Sequence, residues 1–465
     1  MRTHKSYRSA LFRLFALQVP LIGLFFQTAL YAWVYFWRYY PLIRLRLKFY
    51  VKGHILVLGI YLLFLILFSH TFEADKVGYY RPFDVILSQV FSLFATDVVS
   101  YFQLSLMRNW TMPTGPMWLL FILQSAFAVG WVILSDRIYR SAFPPSKLLL
   151  IHGDRPTAGI EAKFASRPDK YEVVDSIGTE EGEDAVIARI RQGGFDGVVL
   201  WDIVTSERNE LMKYCYANAV RMYIMPKIPD VLVKGASELH LFDTPIYMTR
   251  EYALSVNQRF VKRAVDVTGA LVLLILTSPI FLITAIAVKC TDGGPVFYRQ
   301  TRCTLRMKEF SIIKFRSMRV DAEKDGVARL AAEHDDRITP VGRFIRKCRI
   351  DELPQLINVL RGDMSFIGPR PERPEIIAQY VESMPEFTYR TRVKAGLAGY
   401  AQIYGKYNTT PYDKLKLDLT YIQNYSIFLD LKLALLTLKI LVTPESTEGV
   451  EAGQVTALKE EKEQP

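Results

Sequence analysis

Cysteine is sparse and scattered. The four cysteines, Cys215, Cys290, Cys303 and Cys348, form no CxxC pair and no Cys/His cluster. Neither a disulfide framework nor a zinc site is therefore expected, and the thiols read as reduced and cytoplasmic. No GxGxxG phosphate cradle occurs in the one strand-to-helix turn that would suit it, which reads His152-Gly153-Asp154-Arg155-Pro156. The start of the chain lacks the short apolar core and small-residue cleavage site of a secretory signal, so its first apolar helix is expected to stay in the protein. Charge is missing over long stretches. None occurs between Phe15 and Trp37, and further apolar runs follow at His54–Ser69, Val85–Met107 and Met117–Ser135.

Those runs, at about 1.5 Å per helical residue, reach the thickness of a bilayer, although the second is short. Half of the 465 residues are hydrophobic and the net charge is +11, which is too much chain for one core and suits a protein touching both lipid and anionic groups. A nucleic-acid binder would place its charge on a soluble fold, so no nucleic-acid partner is expected. Asp97 falls inside the third run and reads as a buried structural carboxyl facing the other helices. Four crossings put both ends on one side. Arg2, Lys5, Arg8 and Arg13 before them, with Arg137, Arg140 and Lys147 after, mark that side as cytoplasmic. Arg38, Arg44, Arg46, Lys48 and Lys52 in the first loop point the other way, so charge by itself leaves the orientation open.

From Lys147 the pattern becomes that of a soluble module. Strands are expected at Leu148–Ile151, near Val173–Val174, at Val198–Trp201 and at Met222–Met225, with a helix over Ala185–Arg191. The alternation predicts a small parallel α/β (Rossmann-like) module over 146–250. It reads as a structural or regulatory spacer.

The next apolar run, Val267–Val288, is long enough to cross a membrane. Arg259, Lys262 and Arg263 precede it, and Lys289, Arg299, Arg302, Arg306 and Lys308 follow. Both flanks look cytoplasmic, and a helix that dips in and returns satisfies both. Pro279 at its middle removes a backbone donor, and Ser278 beside it can satisfy the freed carbonyl. Lys262, Arg263 and Asp266 are then expected at the headgroup boundary, paired with one another and with lipid phosphates.

Downstream, Asp351 and Glu352 are adjacent and surrounded by Arg343, Arg346, Lys347, Arg349, Arg361, Arg370 and Arg373. A carboxylate can act as a phosphorus nucleophile or a magnesium ligand, while guanidinium forks neutralise phosphate oxygens. Taken alone, an Asp-Glu pair before Leu-Pro is more often a helix N-terminal acid pair or a solvated face. Its company adds weight: a Gly368-Pro369-Arg370-Pro371 turn that rigidifies an arginine, and the basic stretch Lys314-Phe315-Arg316-Ser317-Met318.

Six segments together carry a resemblance: Lys262-Arg263-Ala264-Val265-Asp266, the Ser278-Pro279 helix, Gly294-Pro295-Val296-Phe297, the 314–318 stretch, the block Arg349–Pro371, and Val393-Lys394-Ala395-Gly396-Leu397-Ala398-Gly399. Through them residues 259–442 resemble the catalytic domain of bacterial polyprenyl-phosphate hexose-1-phosphate transferases. The whole chain is similar to the longer members that prime exopolysaccharide, capsule or O-antigen synthesis.

The resemblance implies a mainly helical monotopic catalytic domain over 257–443 on a re-entrant helix at 267–288, after transmembrane helices in 1–140. It implies Asp351 as nucleophile and Mg2+ ligand, with Glu352 as its partner. The implied scheme is ping-pong: Asp351 takes the phosphosugar from a UDP-sugar, releasing UMP, and undecaprenyl phosphate collects it. Cytosolic UDP-sugar places the site on the cytoplasmic face of a bacterial inner membrane. Arg370 is the first choice for a phosphate-binding arginine, followed by Arg346, Arg361 and Arg316. Ala395, where the family often has proline, is expected to loosen a turn. Ile427–Val442 reads as an interfacial helix, with a core helix close behind as the alternative, and the tail 444–465 as disordered. The alternatives are one-step transfer with Asp351 only a metal ligand, and an inert membrane sensor or scaffold. The sugar transferred and any assembly into a homo-oligomer stay open.

Overall fold

The structure, a computed structural model, describes residues 2–45, 50–241, 243–249, 253–320, 337–405 and 409–442. The tail 444–465, expected to be disordered, and Arg46 and Lys48 of the first loop lie outside the described residues. The chain divides into two compact units, Met1–Pro226 and Lys227–Pro465.

The first unit opens with α1 (Arg2–Val34), which continues through a π-turn at Tyr35–Tyr39 into α2 (Tyr40–Ile43). Three more long helices follow: α3 (Val51–Thr71), α4 (Pro82–Arg108) and α5 (Gly115–Ala142). Gln18–Ile43 and these three are long and apolar enough to cross a membrane, judged by length and composition. Their polar side chains turn toward one another, as they must where no water is at hand. Tyr61 Oη donates to Asp97 Oδ1 at 3.1 Å, and Gln124 Nε2 donates to Tyr61 Oη at 2.8 Å. Asp97 is buried among the helices, in line with its structural reading.

The α/β module comes next: β1 (Ser146–His152), α6 (Ala158–Ala165), β2 (Tyr171–Gly178), α7 (Glu183–Gln192), β3 (Gly197–Trp201), α8 (Thr205–Ala217) and β4 (Arg221–Ile224). Its four strands are parallel, in the order β2-β1-β3-β4. Leu148–Ile151 and Val198–Trp201 are buried throughout, as central strands covered on both faces require. The loop between α3 and α4 meets this module, because Arg167 Nη1 and Lys170 Nζ donate to the Tyr79 carbonyl at 3.2 and 2.8 Å.

The second unit begins with α9 (Ile228–Lys234) and the antiparallel hairpin β5 (Ser237–Leu241)–β6 (Thr244–Met248). Composition runs this stretch together with the α/β module. Ile228 and Val231, three apart and so on one helix face, instead join Leu415, Leu419 and Ile422 in the second unit's core.

Then comes α10 (Val256–Asp292), helical throughout its 37 residues and started by a capping box between Ser255 and Gln258. Pro279 leaves the Ile275 carbonyl without its usual donor, and Ser278 Oγ fills that place at 2.8 Å. The second unit grips α10 at both ends. Toward its start, Lys262 Nζ meets Asp430 Oδ2 at 2.5 Å and Arg263 donates to the carbonyls of Val359 and Leu360 at 2.6 and 2.7 Å. Asp266 Oδ1 accepts from Ser365 Oγ and Phe366 N, both at 3.0 Å. Toward its end, Phe281, Ala285 and Val288 pack with Phe315 and Ile345, and Arg316 Nη1 donates to Asp292 at 2.9 Å. The remaining face is apolar and exposed, including Leu271, Ile275, Leu276 and Ile283.

Around α10 lie the antiparallel hairpin β7 (Phe297–Cys303)–β8 (Glu309–Phe315), α11 (Pro340–Lys347) and α12 (Gln355–Arg361). They are followed by β9 (Met364–Ile367), α13 (Pro374–Ser383) and a 3-10 segment, Pro385–Arg392. The chain then forms β10 (Ala395–Ala398), parallel to β9, and α14 (Tyr400–Tyr404), α15 (Pro411–Gln423) and α16 (Ile427–Val442). On α16, Leu433 and Leu436 are buried in the core, while Phe428, Leu431 and Leu438 are exposed.

Lys262 and Asp266, expected to pair with each other and with lipid phosphates, are buried and bonded to different partners. A buried ion pair is most costly when one member is removed. Lys262→Met is therefore expected to destabilise the protein by about 3 kcal/mol, and Lys262→Met with Asp430→Leu to recover most of that loss. Denaturant unfolding in detergent micelles measures both.

Candidate active site

The two acids stand on a turn between helices. Thr339 Oγ1 caps α11 by accepting from Gly342 N at 2.9 Å. The helix ends at Cys348, and Arg349 adopts the left-handed conformation (φ 57°). One 3-10 turn, Ile350–Glu352, then presents both acids before α12 starts. On α12, Leu356 and Val359 bury their side chains with Ala270, Phe310 and Ile312. Asn358, fully buried, ties this helix to the neighbouring strand: its Oδ1 accepts from Ile313 N at 3.0 Å and its Nδ2 donates to the Ser311 carbonyl at 2.8 Å. That tie brings Lys314, near the end of β8, to the acids.

Glu352 is thereby enclosed by cations. Lys314 Nζ and Arg370 Nη2 both reach its Oε1, at 3.0 and 3.1 Å. Burial would raise its pKa, but the charges of Lys314, Arg370 and Arg349 overcome burial and hold the carboxyl well below the usual range. Asp351 is different. It is only 9% exposed, and its Oδ1 is buried without a hydrogen-bond partner. Burial, then the neighbouring Glu352 charge, push it up to about 6, against the opposing pull of Lys314, Arg346 and Arg349. One acid is held in its ionised form by the cations around it; the other keeps an unpartnered oxygen and a raised pKa of about 6.

Of the four predicted arginines, Arg370 touches the dyad and Arg346 acts on Asp351 through its charge. Arg316 is committed to Asp292 at the end of α10, and Arg361 is exposed at the far end of α12 from the acids. The cations that sequence reasoning passed over are Lys314 and Arg349. Both lie in stretches already marked as basic, but which residue of a stretch faces the acids depends on the hairpin and the left-handed turn. Ala395 also departs from expectation. Its N–H donates to Thr304 Oγ1 at 3.1 Å, and Thr304 Oγ1 donates to the Asp363 carbonyl at 2.8 Å, so alanine fastens a turn that proline would leave without this bond.

The profile of the bacterial sugar transferase family matches residues 257–444. An uncharacterized sugar transferase of Bacillus subtilis (strain 168), EpsL, is 43% identical over 198 residues, which is 42% of this chain and 93% of that protein. The chain belongs to the bacterial sugar transferase family. Two longer relatives match as well. The UDP-glucose:undecaprenyl-phosphate glucose-1-phosphate transferase of Escherichia coli (strain K12) is 40% identical over 210 residues, 44% of this chain and 43% of the relative. The UDP-N-acetylgalactosamine-undecaprenyl-phosphate N-acetylgalactosaminephosphotransferase of Aeromonas hydrophila is 35% identical over 263 residues, 56% of this chain and 59% of the relative. The chain thus spans about half the length of these two proteins. The family match covers α10 and everything that surrounds the dyad.

In this family member the two acids should respond oppositely to neutralisation. The folded protein holds the Asp351 proton more tightly than the unfolded chain does, so ionisation costs stability; the cost is absent below about pH 4 and complete above about pH 6. Asp351→Asn is expected to raise the thermal midpoint at pH 7.5, with the gain vanishing at acid pH. Glu352 has the opposite sign, since its depressed value stabilises the fold above about pH 4.5. Glu352→Gln is expected to lower the midpoint at pH 7.5, and calorimetry of both variants across pH checks the pair.

Proposed function

We propose that this chain transfers a sugar-1-phosphate from a UDP-sugar to undecaprenyl phosphate, yielding undecaprenyl-diphosphate-sugar and UMP, as the first membrane step of a surface polysaccharide. The observation that carries the reading is the unpartnered, buried Oδ1 of Asp351 beside a second carboxylate and within the charge of Lys314, Arg346, Arg349 and Arg370. The names of the relatives, which pair undecaprenyl phosphate with nucleotide sugars, support the substrate class.

In the reaction, Asp351 attacks the sugar-bearing phosphorus. The bond from that phosphorus to the bridging oxygen breaks, and UMP leaves with the electron pair. A phosphate oxygen of undecaprenyl phosphate then displaces Asp351 and regenerates its carboxylate. Arg370 and Lys314, preset by Glu352, face the charge that develops on the transferring phosphate. The free Asp351 oxygen also fits Mg2+, which takes one or two carboxylates plus substrate phosphates and would supply further charge neutralisation there.

The acceptor lipid is costly to extract, at about 0.8 kcal/mol for each buried methylene, so the acids must work at the membrane surface. A helix gripped by one compact unit at both ends, from Lys262 to Asp292, supports a re-entrant α10 that stays on the cytoplasmic side, with its exposed apolar face in lipid. For the first unit, contact of the α/β module with the α3–α4 loop supports four crossings, which would put both on the same face.

Mixing enzyme with UDP-sugar and no lipid is expected to release a burst of about one UMP per active site, and Asp351→Asn to lose about 10³-fold or more in turnover. An active enzyme without a burst would favour one-step transfer, and retained activity of Asp351→Asn would remove Asp351 from the chemistry. Cys290 and Cys348 are exposed and report topology. A membrane-impermeant maleimide should leave both unlabelled in intact spheroplasts and label them after permeabilisation; labelling of either in intact spheroplasts would contradict the cytoplasmic placement.

A further inference from the structure

The turn that carries Arg370 is hard to hold in place. Pro369 and Pro371 have no N–H to donate, so contacts fall on the carbonyls, and those of residues 369–372 are all taken. The Pro369 carbonyl accepts from Gly396 N at 2.9 Å and the Glu372 carbonyl from Cys303 N at 3.0 Å. Between them, the Arg370 carbonyl accepts from Arg390 Nη2 at 3.0 Å and the Pro371 carbonyl from Arg302 Nη1 at 3.3 Å. Two successive peptides are therefore held by guanidinium groups, and Arg390 is only 2% exposed.

Burying such groups is unfavourable unless charge answers them. Glu372 lies against both, 3.6 Å from Arg390 Nη1 and 3.8 Å from Arg302 Nη1, with Lys414 Nζ at 2.7 Å. Asp418, also buried, faces Arg390 Nη2 at 2.8 Å. Burial would raise Glu372, yet Lys414 and Arg390 hold it at about 2, so it stays ionised through neutral pH. None of these five groups reaches the dyad. What the turn does send there is Arg370, whose Nη2 stands 3.1 Å from Glu352 Oε1.

We propose that Arg390 and Arg302 clamp the backbone at residues 370–371 in order to aim Arg370, which makes Arg390 a positioning residue for the transfer step. The proposal rests on the reading of Arg370 as a phosphate-binding group. Arg390→Lys keeps a cation beside Asp418 and Glu372 but loses the fork that reaches the Arg370 carbonyl. A guanidinium displaced by about 1 Å is enough to slow catalysis strongly.

The test is a double-mutant cycle on the full chain in detergent micelles. UMP release is followed with undecaprenyl phosphate and whichever of UDP-glucose, UDP-galactose, UDP-N-acetylglucosamine or UDP-N-acetylgalactosamine the unmodified protein turns over fastest. Arg390→Lys is expected to lower kcat by about tenfold or more, with KM for the nucleotide sugar changed by less than about threefold and the thermal midpoint retained. In an Arg370→Ala background the same substitution should cost less than about twofold. Equal losses in both backgrounds, or no loss in the parent, would overturn the clamp while leaving Arg370 in place. Full turnover by Arg370→Ala would overturn the reading of Arg370 itself, and the clamp with it. Should Arg390→Lys fail to fold, Arg302→Lys enters the same cycle with the same expected outcomes.

Discussion

Two carboxylates on adjacent residues repel each other, and burial strengthens the repulsion because water no longer screens it. The second unit resolves this unequally. Glu352 receives Lys314 and Arg370 at hydrogen-bonding distance, while Asp351 receives charge only from farther away and keeps an unpartnered oxygen. That asymmetry separates the pair into an acid fixed by its cations and an acid with an unpartnered oxygen. Much of the surrounding structure serves it. Asn358 fastens β8 so that Lys314 arrives, Arg349 takes a left-handed turn so that both acids face inward, and the 368–372 segment delivers Arg370.

The same unit carries a helix long and apolar enough to cross a membrane, α10, which is also tied into the fold. Its polar residues Lys262, Arg263, Asp266 and Asp292 are spent on the protein, each bonded to a different element of the fold. Its large apolar residues are divided between the core and an exposed face. Charges that sequence inspection assigns to lipid phosphates therefore act as internal ties. A buried cation needs a fixed anion more than an exposed one does, and Asp430, more than 160 residues away, comes close only once α16 has packed.

Much of the architecture was legible. The long uncharged runs, the alternation of strands and helices after Lys147, and the apolar helix containing Ser278-Pro279 all appear where the pattern puts them. Ser278 even donates to the carbonyl freed by Pro279. Less legible was the assignment of α9, because a seven-residue stretch of mixed composition does not reveal which core it will enter. Among the arginines, a count of nearby basic residues could not separate Arg370, which touches Glu352, from Arg316, which closes the end of α10.

Local sequence by itself determined what depends on neighbours along the chain: which runs are apolar, where proline and glycine interrupt them, and that Asp351 and Glu352 stand side by side in basic surroundings. Tertiary structure alone decided which cation answers which acid. Lys314 and Glu352 are 38 positions apart, and Arg390 reaches the Arg370 carbonyl across 20. Electrostatic energy falls with distance in space and rises as water is excluded, and neither quantity exists until the chain has folded.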